Sequence, residues 1–126
     1  MTRKILVSGG AGYIGAHACK ALQSMGFIPV VFDNLSTGHA EAVKFGPLEK
    51  GDLMDRARLD EVFAAHRPIA VMHFAALSLV GESMKSPGHY WRMNVNGALN
   101  LIEASLASNC KNFIFSSTCA TYGDQD

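Results

Sequence analysis

A glycine-rich stretch directly after a short apolar run constrains the fold of this chain more than any other feature. Residues 4–15 read KILVSGGAGYIG, with glycines at 9, 12 and 15 and an overlapping G-x-G-x-x-G register that begins at Gly10. Glycines in such a turn let the chain reverse, let the backbone approach a pyrophosphate, and let a helix pack closely on the preceding strand. The helix that follows presents N–H groups and a positive dipole end to an anion. The stretch therefore predicts a strand, a phosphate-binding turn and a helix.

A carboxylate follows the second apolar run, residues 28–32, at the distance expected of a dinucleotide site. Asp33 lies 18 residues beyond Gly15, where a carboxylate accepts hydrogen bonds from the hydroxyls of an adenosine ribose. A glycine fingerprint alone also occurs in ordinary strand-to-helix turns, so Asp33 is the residue that favours a dinucleotide site. Because this carboxylate would repel a 2′-phosphate, the sequence predicts NAD rather than NADP.

Charge and length exclude several classes of protein. Eleven basic and eleven acidic residues balance to zero over 126 residues, so neither nucleic acid nor a membrane surface is expected as a partner. No apolar run approaches the ~20 residues of a membrane span, and residues 1–4 contain no signal-peptide core. Cys19, Cys110 and Cys119 lack metal-ligand spacing and are expected to be reduced packing residues. We expect one cytoplasmic domain.

Apolar runs alternate with helical patterns along the rest of the chain. After the first strand, further strands are predicted at 27–33, 43–48, 69–74 and 112–116, and helices at 11–25, 55–66 and 88–108. The strand at 43–48 is the weakest of these, because Gly46 and Pro47 are typical of a sheet edge. This order predicts an α/β fold with a doubly wound parallel (Rossmann-type) sheet, whose ligand lies at the carboxyl ends of the strands.

Apolar stripes on two helices predict which faces are buried. In the first helix the stripe consists of Ile14, Ala18, Ala21, Leu22 and Met25. In the last helix one face holds Trp91, Val95, Leu99, Ile102 and Leu106, whereas further apolar surface is provided by Met93, Leu101 and Ala104. We expect the Trp91 face to pack on the sheet and the Leu101 face to need another cover.

The histidines do not have the spacing of metal ligands. Their positions are scattered: His17, His39, His66, His73 and His89. His73 lies inside the strand at 69–74 and is expected to be a hydrogen-bonded core residue, and His66 is expected to be a helix-end residue. No metal site is predicted.

Six motifs occur in order along the chain: GGAGYIG at 9–15, FDNLSTGH at 32–39, GDL at 51–53, HFAALSLVGES at 73–83, NVNG at 94–97 and FSSTCATYGD at 115–124. Together they resemble the UDP-glucose 4-epimerases, a group within the extended short-chain dehydrogenase/reductase family. Members of that group hold NAD, oxidise the sugar C4 hydroxyl to a keto intermediate, and return the hydride to the other face. The resemblance therefore implies NAD as the cofactor and a UDP-sugar as the substrate.

The resemblance also implies a role for each matching residue. The pyrophosphate would be met by Gly9, Gly12, Tyr13, Ile14 and Gly15, the adenosine ribose by Asp33 and Asn34, and the adenine by Asp52 and Leu53. Further cofactor contacts would come from Phe74, Ala75, Ala76, Ser78, Asn94, Ser116 and Ser117. The hydroxyl of Thr118 would be catalytic, because it would hydrogen-bond the reacting sugar oxygen.

Two features depart from the pattern of the group. Ser78 stands where well-known members have a lysine that touches the cofactor ribose. The catalytic tyrosine with a lysine four positions later is also missing, since Tyr13, Tyr90 and Tyr122 are followed there by His17, Asn94 and Asp126. We therefore expect an incomplete NAD-binding domain over residues 1–126, with its sheet truncated after strand 5, no substrate domain, and no turnover by this chain alone.

Three functions remain open. The first is the NAD-binding portion of a UDP-glucose 4-epimerase of galactose metabolism, and the second is a stand-alone NAD-binding or interaction module without catalysis. The third is part of another nucleotide-sugar-modifying member of the family; in dehydratases acidic residues follow the strand-5 threonine, whereas Cys119 and Ala120 follow Thr118 here. In each case the helix at 88–108 and the open edge of the strand at 112–116 predict a homodimer.

Overall fold

The computed structural model describes residues 3–76, 80–117 and 123. Five strands form one sheet in the order β3-β2-β1-β4-β5, with bounds Lys4–Ser8 (β1), Ile28–Asp33 (β2), Leu48–Lys50 (β3), Ala70–His73 (β4) and Phe113–Phe115 (β5). All neighbouring strands are parallel. Because the chain winds outward from β1 in both directions, the sheet is doubly wound, as the sequence predicts.

Helices connect the strands on both faces of the sheet. Their bounds are Tyr13–Ser24 (α1), Arg56–His66 (α2), Val80–Lys85 (α3), Pro87–Trp91 (α4) and Gly97–Ala107 (α5), with a 3₁₀ turn at Ala40–Ala42. Residues Arg92–Asn96 form a π-helical turn that joins α4 to α5. The helix predicted at 88–108 is therefore present as one continuous helical segment with a wider turn inside it.

The third strand does not lie where the sequence predicts it. Val43 ends the 3₁₀ turn, with its N–H donating to Ala40 O, and the strand begins only at Leu48. Gly46 lies so close to β2 that a Cβ there would be 1.9 Å from Pro29 O. The prediction of a strand at 43–48 is thus wrong in position, although β3 is at the sheet edge as expected.

Helix ends follow the local signals in the sequence. Asp55 caps α2 by accepting a hydrogen bond from the backbone N–H of Arg58 at 3.1 Å. Helices α1, α2 and α5 are followed by residues with positive φ, namely Gly26 at 87°, Arg67 at 46° and Asn109 at 63°.

Apolar side chains fill both faces of the sheet. One cluster places Leu6, Val30, Phe32 and Val71 against α2 and α5. The other places Ile5, Val7 and Val31 against α1. Each fully buried large side chain contributes roughly 1.5–3 kcal/mol, so both layers stabilise the sheet.

The predicted buried face of α1 is correct only at Leu22. The buried residues of this helix are Gly15, Cys19 and Leu22, whereas Ile14 and Met25 are exposed. The smaller residues face inward because α1 packs against the glycine turn at Gly15, which leaves no room there for a side chain.

The predicted buried face of α5 is also wrong. Leu101 and Ala104 have exposed fractions of 0% and 1% and pack in the core with α2, whereas the predicted stripe is exposed: Trp91, Val95, Leu99, Ile102 and Leu106. A Cβ on Gly97 would be 3.2 Å from Leu53 Cβ, so the inward face of α5 begins with a residue that permits close approach.

The two described cysteines, Cys19 and Cys110, are buried free thiols, as predicted. Burial raises the pKa of Cys19 to about 11. Cys119 lies outside the described residues. Within the described part of the chain, no helix combines the length and apolar character needed to cross a bilayer.

Candidate functional site

A cleft of about 290 Å³ opens at the carboxyl ends of β1, β2, β3 and β4. It lies where the winding of the sheet reverses at β1, the position at which open α/β sheets bind ligands. Its lining consists of Gly9, Gly12, Tyr13, Ile14, Gly15, Phe32, Asp33, Asn34, Ser36, Thr37, Gly38, Gly51, Leu53, Phe74, Ala75, Ala76, Met93 and Asn94.

The glycine turn at one side of the cleft depends on the absence of side chains. Gly9 has a φ of 74°, and a Cβ there would be 2.7 Å from Ala75 N. A Cβ on Gly15 would be only 2.2 Å from Gly9 O, so neither position accepts another residue without displacing backbone. The backbone of the glycine turn and the start of α1 can therefore pack closely together at the cleft.

The start of α1 is suited to an anion. Gly12 is its N-cap and makes no side-chain cap hydrogen bond. The first N–H groups of a helix have no intrahelical acceptor, and the helix dipole is positive at this end. Since Tyr13, Ile14 and Gly15 line the cleft, the start of α1 lies at a space where an anion could be bound.

Asp33 joins the glycine turn to the loop that follows β2. Its Oδ2 accepts a hydrogen bond from Ala11 N–H at 3.0 Å, and its Oδ1 accepts one from Leu35 N–H at 2.8 Å. The carboxylate is 9% exposed and lies at the cleft. It is therefore fixed in place with its remaining lone pairs available to a ligand.

The loop at 34–39 is a wall of the cleft that sequence reasoning missed. His39 N–H donates to Ala11 O at 3.2 Å, and a Cβ on Gly38 would be 2.9 Å from Ala11 Cβ. This packing brings Ser36 and Thr37 to the cleft. The signal for them was the motif at 32–39, of which only Asp33 and Asn34 were assigned a role.

Three other lining residues were missed: Phe32, Gly51 and Met93. The motifs at 32–39 and 51–53 contained the first two. The sequence groups Met93 with Leu101 and Ala104 as apolar surface that needs another cover. Met93 lies in the π-helical turn at Arg92–Asn96, which shifts the faces of the helix relative to α-helical spacing.

Most of the predicted cofactor residues meet at the cleft, and the structure places three others outside its lining. Asp52 Oδ1 accepts a hydrogen bond from Met54 N–H at 2.8 Å and so holds the start of the β3–α2 connection. Ser116 and Ser117 are exposed beyond β5, where Ser116 N–H donates to His73 O. Ser78 and the candidate catalytic residue Thr118 lie outside the described residues.

His73 lies beneath the cleft and is a hydrogen-bonded core residue, as predicted. Its Nδ1 is 2.5 Å from Ser8 Oγ, and its ring stacks on Phe115 with centroids 5.6 Å apart. Burial lowers the pKa of His73 to about 4, so the ring is neutral at pH 7. Across residues 3–76, 80–117 and 123, no three His, Cys, Asp or Glu side chains converge as a metal site.

Comparison with known proteins agrees with this geometry. The model of the NAD dependent epimerase/dehydratase family matches residues 5–126. The UDP-glucose 4-epimerase of Rhizobium meliloti is 59% identical over 122 residues, which are 97% of this chain and 37% of that protein. The UDP-glucose 4-epimerase of Rhizobium leguminosarum bv. trifolii is 58% identical over 119 residues, which are 94% of this chain and 36% of that protein.

Solved structures of UDP-glucose 4-epimerases also match nearly the whole of this chain. The crystal structure of UDP-glucose 4-epimerase from Brucella ovis in complex with NAD has a TM-score of 0.92 and 49% identity, covering 99% of this chain and 38% of that one. The crystal structure of UDP-glucose 4-epimerase with UDP-glucose from Thermotoga maritima has a TM-score of 0.90 and 37% identity. The match covers 98% of this chain and 40% of that one. This chain thus spans little more than a third of the length of these proteins. With a family model matched over 5–126, the chain belongs to the NAD dependent epimerase/dehydratase family.

Proposed function

We propose that this chain is the NAD-binding portion of a UDP-glucose 4-epimerase, an enzyme that interconverts UDP-glucose and UDP-galactose in galactose metabolism. The cleft at the reversal point of the sheet carries this proposal, because the glycine turn, Asp33 and residues 74–76 surround one space. A relative that is 59% identical to this chain is a UDP-glucose 4-epimerase. Because the chain covers 37% of that relative, the activity is assigned to a longer protein of which these residues form the cofactor domain.

The cleft offers a matching group for each part of NAD. The N–H groups at the start of α1 face the pyrophosphate, and the carboxylate of Asp33 accepts hydrogen bonds from the adenosine ribose. The loop at 34–39 and the wall formed by Gly51 and Leu53 would hold the adenine, and residues 74–76 would lie along the path toward the nicotinamide. When bound, NAD accepts a hydride from the sugar C4 and returns it.

Selectivity for NAD over NADP follows from charge. A 2′-phosphate at the ribose would meet the buried carboxylate of Asp33, and the described lining of the cleft includes no arginine or lysine to offset the repulsion. We expect NADP to bind at least about tenfold more weakly than NAD, a difference of about 1.4 kcal/mol.

The test is a calorimetric titration of the purified chain with each cofactor, after any nucleotide released by heating has been identified by mass. Asp33→Asn keeps an acceptor for one backbone N–H but removes the negative charge, so it should reduce the difference in affinity between NAD and NADP. Asp60→Asn is the control, because it removes the same charge from an exposed residue outside the cleft. Equal affinity of the unmutated chain for both cofactors, or no binding of either, would contradict the proposal.

Catalysis requires groups beyond this cleft. We assign Thr118 the role of hydrogen-bonding the reacting sugar oxygen, and Asp52, Ser78, Ser116 and Ser117 stay predicted cofactor residues. No tyrosine in the 126 residues has a lysine four positions later, so a hydroxyl oriented by Thr118 has no base of that kind. UDP-galactose conversion with added NAD should be undetectable, and a rate that Thr118→Ala abolishes would refute this.

A homodimer is the proposed assembly. The exposed stripe of the helical segment at 87–107 contains Trp91 at 68%, Val95 at 36%, Leu99 at 50%, Ile102 at 38% and Leu106 at 59% exposure. It extends for about 22 Å at 1.5 Å per residue, and an apolar stripe of this length suits packing against its own copy about a two-fold axis. The edge of β5, where Ile114 and Phe115 are exposed, is a second surface for association.

We also propose a cytoplasmic location. Cys19 and Cys110 are both buried as free thiols, which fits a reducing compartment. The partners are then NAD and a UDP-sugar, and the balance of eleven basic with eleven acidic residues gives no basis for nucleic acid or a membrane surface as a partner.

A further inference from the structure

Arg58 on α2 ties the edge strand β3 to this helix. Its Nε donates to the backbone O of Lys50 at 3.1 Å, its Nη2 donates to Glu49 at 2.5 Å, and its Nη1 donates to Glu61 at 3.2 Å. The side chains of Arg58 and Glu49 are 29% and 25% exposed, so this pair is partly removed from water. Hydrogen bonds from His66 and then Arg58 hold the pKa of Glu49 below its usual value, which keeps the carboxylate charged.

The same side chain supports the wall of the cleft. A Cβ on Gly51 would be 2.7 Å from the Phe32 ring and 2.9 Å from Arg58 Cγ, so the aliphatic stem of Arg58 lies directly behind Gly51. Gly51 N–H donates to Asp33 O at 3.1 Å, which joins this wall to the end of β2. Gly51 lines the cleft, whereas Arg58 does not.

The strand needs this support because it is short and lies at the edge. β3 contains three residues and pairs with β2 alone within the described part of the chain. The far end of the wall is anchored separately, since Asn100 Nδ2 donates to Leu53 O at 2.9 Å. The end of the wall that joins β3, from Lys50 to Gly51, is held by Arg58 on α2.

We propose that Arg58 is a positioning residue for the adenine end of the dinucleotide. It holds the Lys50–Gly51 backbone against β2 and thereby fixes the wall of the cleft without touching the ligand. Asp33 at the end of β2 marks the ribose in a site of this type, and β3 lies outside β2, so its end adjoins the base. The inference rests on the proposed function for the identity of the ligand.

Lysine does not substitute for arginine in this role. The guanidinium reaches Lys50 O, Glu49 and Glu61 with three differently directed N–H groups, whereas an ammonium group is a point charge without this fork. Arg58→Lys therefore keeps the charge and loses the geometry. Arg58→Met keeps the stem behind Gly51 and removes the three side-chain hydrogen bonds, which makes it the variant closest to a pure loss of positioning.

The experiment measures native-state amide exchange and nucleotide affinity in the same variants. In Arg58→Met and Arg58→Lys, exchange of the Gly51 amide should rise at least about tenfold, equivalent to about 1.4 kcal/mol, while the core amides of Leu6 and Val71 keep their protection. The dissociation constants of NAD and of AMP, which carries only the adenine end, should rise about five- to tenfold in both variants. Arg56→Met is the matched control, because Arg56 is also an α2 arginine, and the ion pairs that it forms with described residues are to Asp60 and Glu103 rather than to β3.

Unchanged exchange at Gly51, or AMP affinity within about twofold of the unmutated chain, would overturn the positioning role. Equal loss of protection at Gly51, Leu6 and Val71 would also overturn it, because a general loss of stability would then explain the result. If the exchange changes as expected but the unmutated chain binds neither NAD nor AMP, the proposed function fails and the assignment to adenine fails with it.

Discussion

The glycine turn and the helical segment at 87–107 differ in how far local sequence dictates their structure. In the turn, Gly9 has a positive φ and Gly15 lies against Gly9 O, so only glycine fits and the backbone path follows from a few residues. In the helical segment apolar residues occupy two faces, and Leu101 is buried while Leu99 is exposed. A steric constraint within one turn can be predicted from the residues of that turn. Which of two apolar faces is buried depends instead on what the helix packs against.

The largest expected effect is a loss of stability on substitution of the buried face of α5, which the exposed face should not show. Leu101 is fully buried, so Leu101→Glu would bury a charge without a partner and should cost about 4 kcal/mol or more, which abolishes cooperative folding. Leu99→Glu changes a half-exposed residue and should leave the fold intact while converting dimers to monomers. Urea unfolding followed by circular dichroism measures the first effect, and sedimentation equilibrium measures the second.

Either half of this prediction can fail separately. Normal stability of Leu101→Glu would show that the assignment of the buried face is wrong. A parent chain that sediments as a monomer at high concentration would refute the homodimer.

The next effect tests the steric claim about the turn. A methyl group at residue 15 would lie 2.2 Å from Gly9 O, and backbone there has little room to move. Gly15→Ala should therefore destabilise the chain by about 3 kcal/mol, the upper end of overpacking costs, and weaken NAD binding in the folded fraction. Gly81→Ala, where a Cβ meets nothing within 4 Å, is the control and should change stability by no more than about 1 kcal/mol. Equal stability of the two variants would show that the turn tolerates a side chain.

The free energy of unfolding should also depend on pH, by a similar or smaller amount, because of His73 beneath the cleft. Burial lowers the pKa of His73 from 6.5 to about 4, so the unfolded chain binds a proton between these values while the folded chain does not. The free energy of unfolding should therefore fall by about 2–3 kcal/mol as the pH drops from 6.5 to 4. Urea denaturation at each pH measures this, and His73→Gln should flatten the dependence whereas the exposed change His89→Gln should not. An unaltered pH profile in His73→Gln would contradict the assignment.

Features set by neighbouring residues were predictable from the sequence. The strand, turn and start of α1 follow from the glycine spacing. Asp55 caps the start of α2, and Gly26 and Asn109 follow the ends of α1 and α5 with positive φ. Asp33 was recognised from its distance to the turn, although the hydrogen bonds that it accepts from Ala11 and Leu35 were not.

Features set by contacts distant in sequence were not predictable. The position of β3 depends on Gly46 packing on Pro29 O, and the cleft wall at 36–38 depends on Ala11. Met93 reaches the cleft because of a π-helical turn that α-helical spacing does not anticipate. For β3 and for the cleft wall the deciding partner lies elsewhere in the chain, whereas for Met93 the deciding feature is the wider turn of its own helical segment.

The assignment of an NAD site to the cleft at the reversal point of the sheet is tested by site-resolved amide shifts on titration with NAD. We expect saturable shifts at residues 9–15, 33–38, 51–53 and 74–76, and little change at exposed α5 residues such as Leu106. Asp33→Asn should weaken the response to NAD. Shifts that cluster away from these four segments, or no saturable shifts at millimolar NAD, would contradict it.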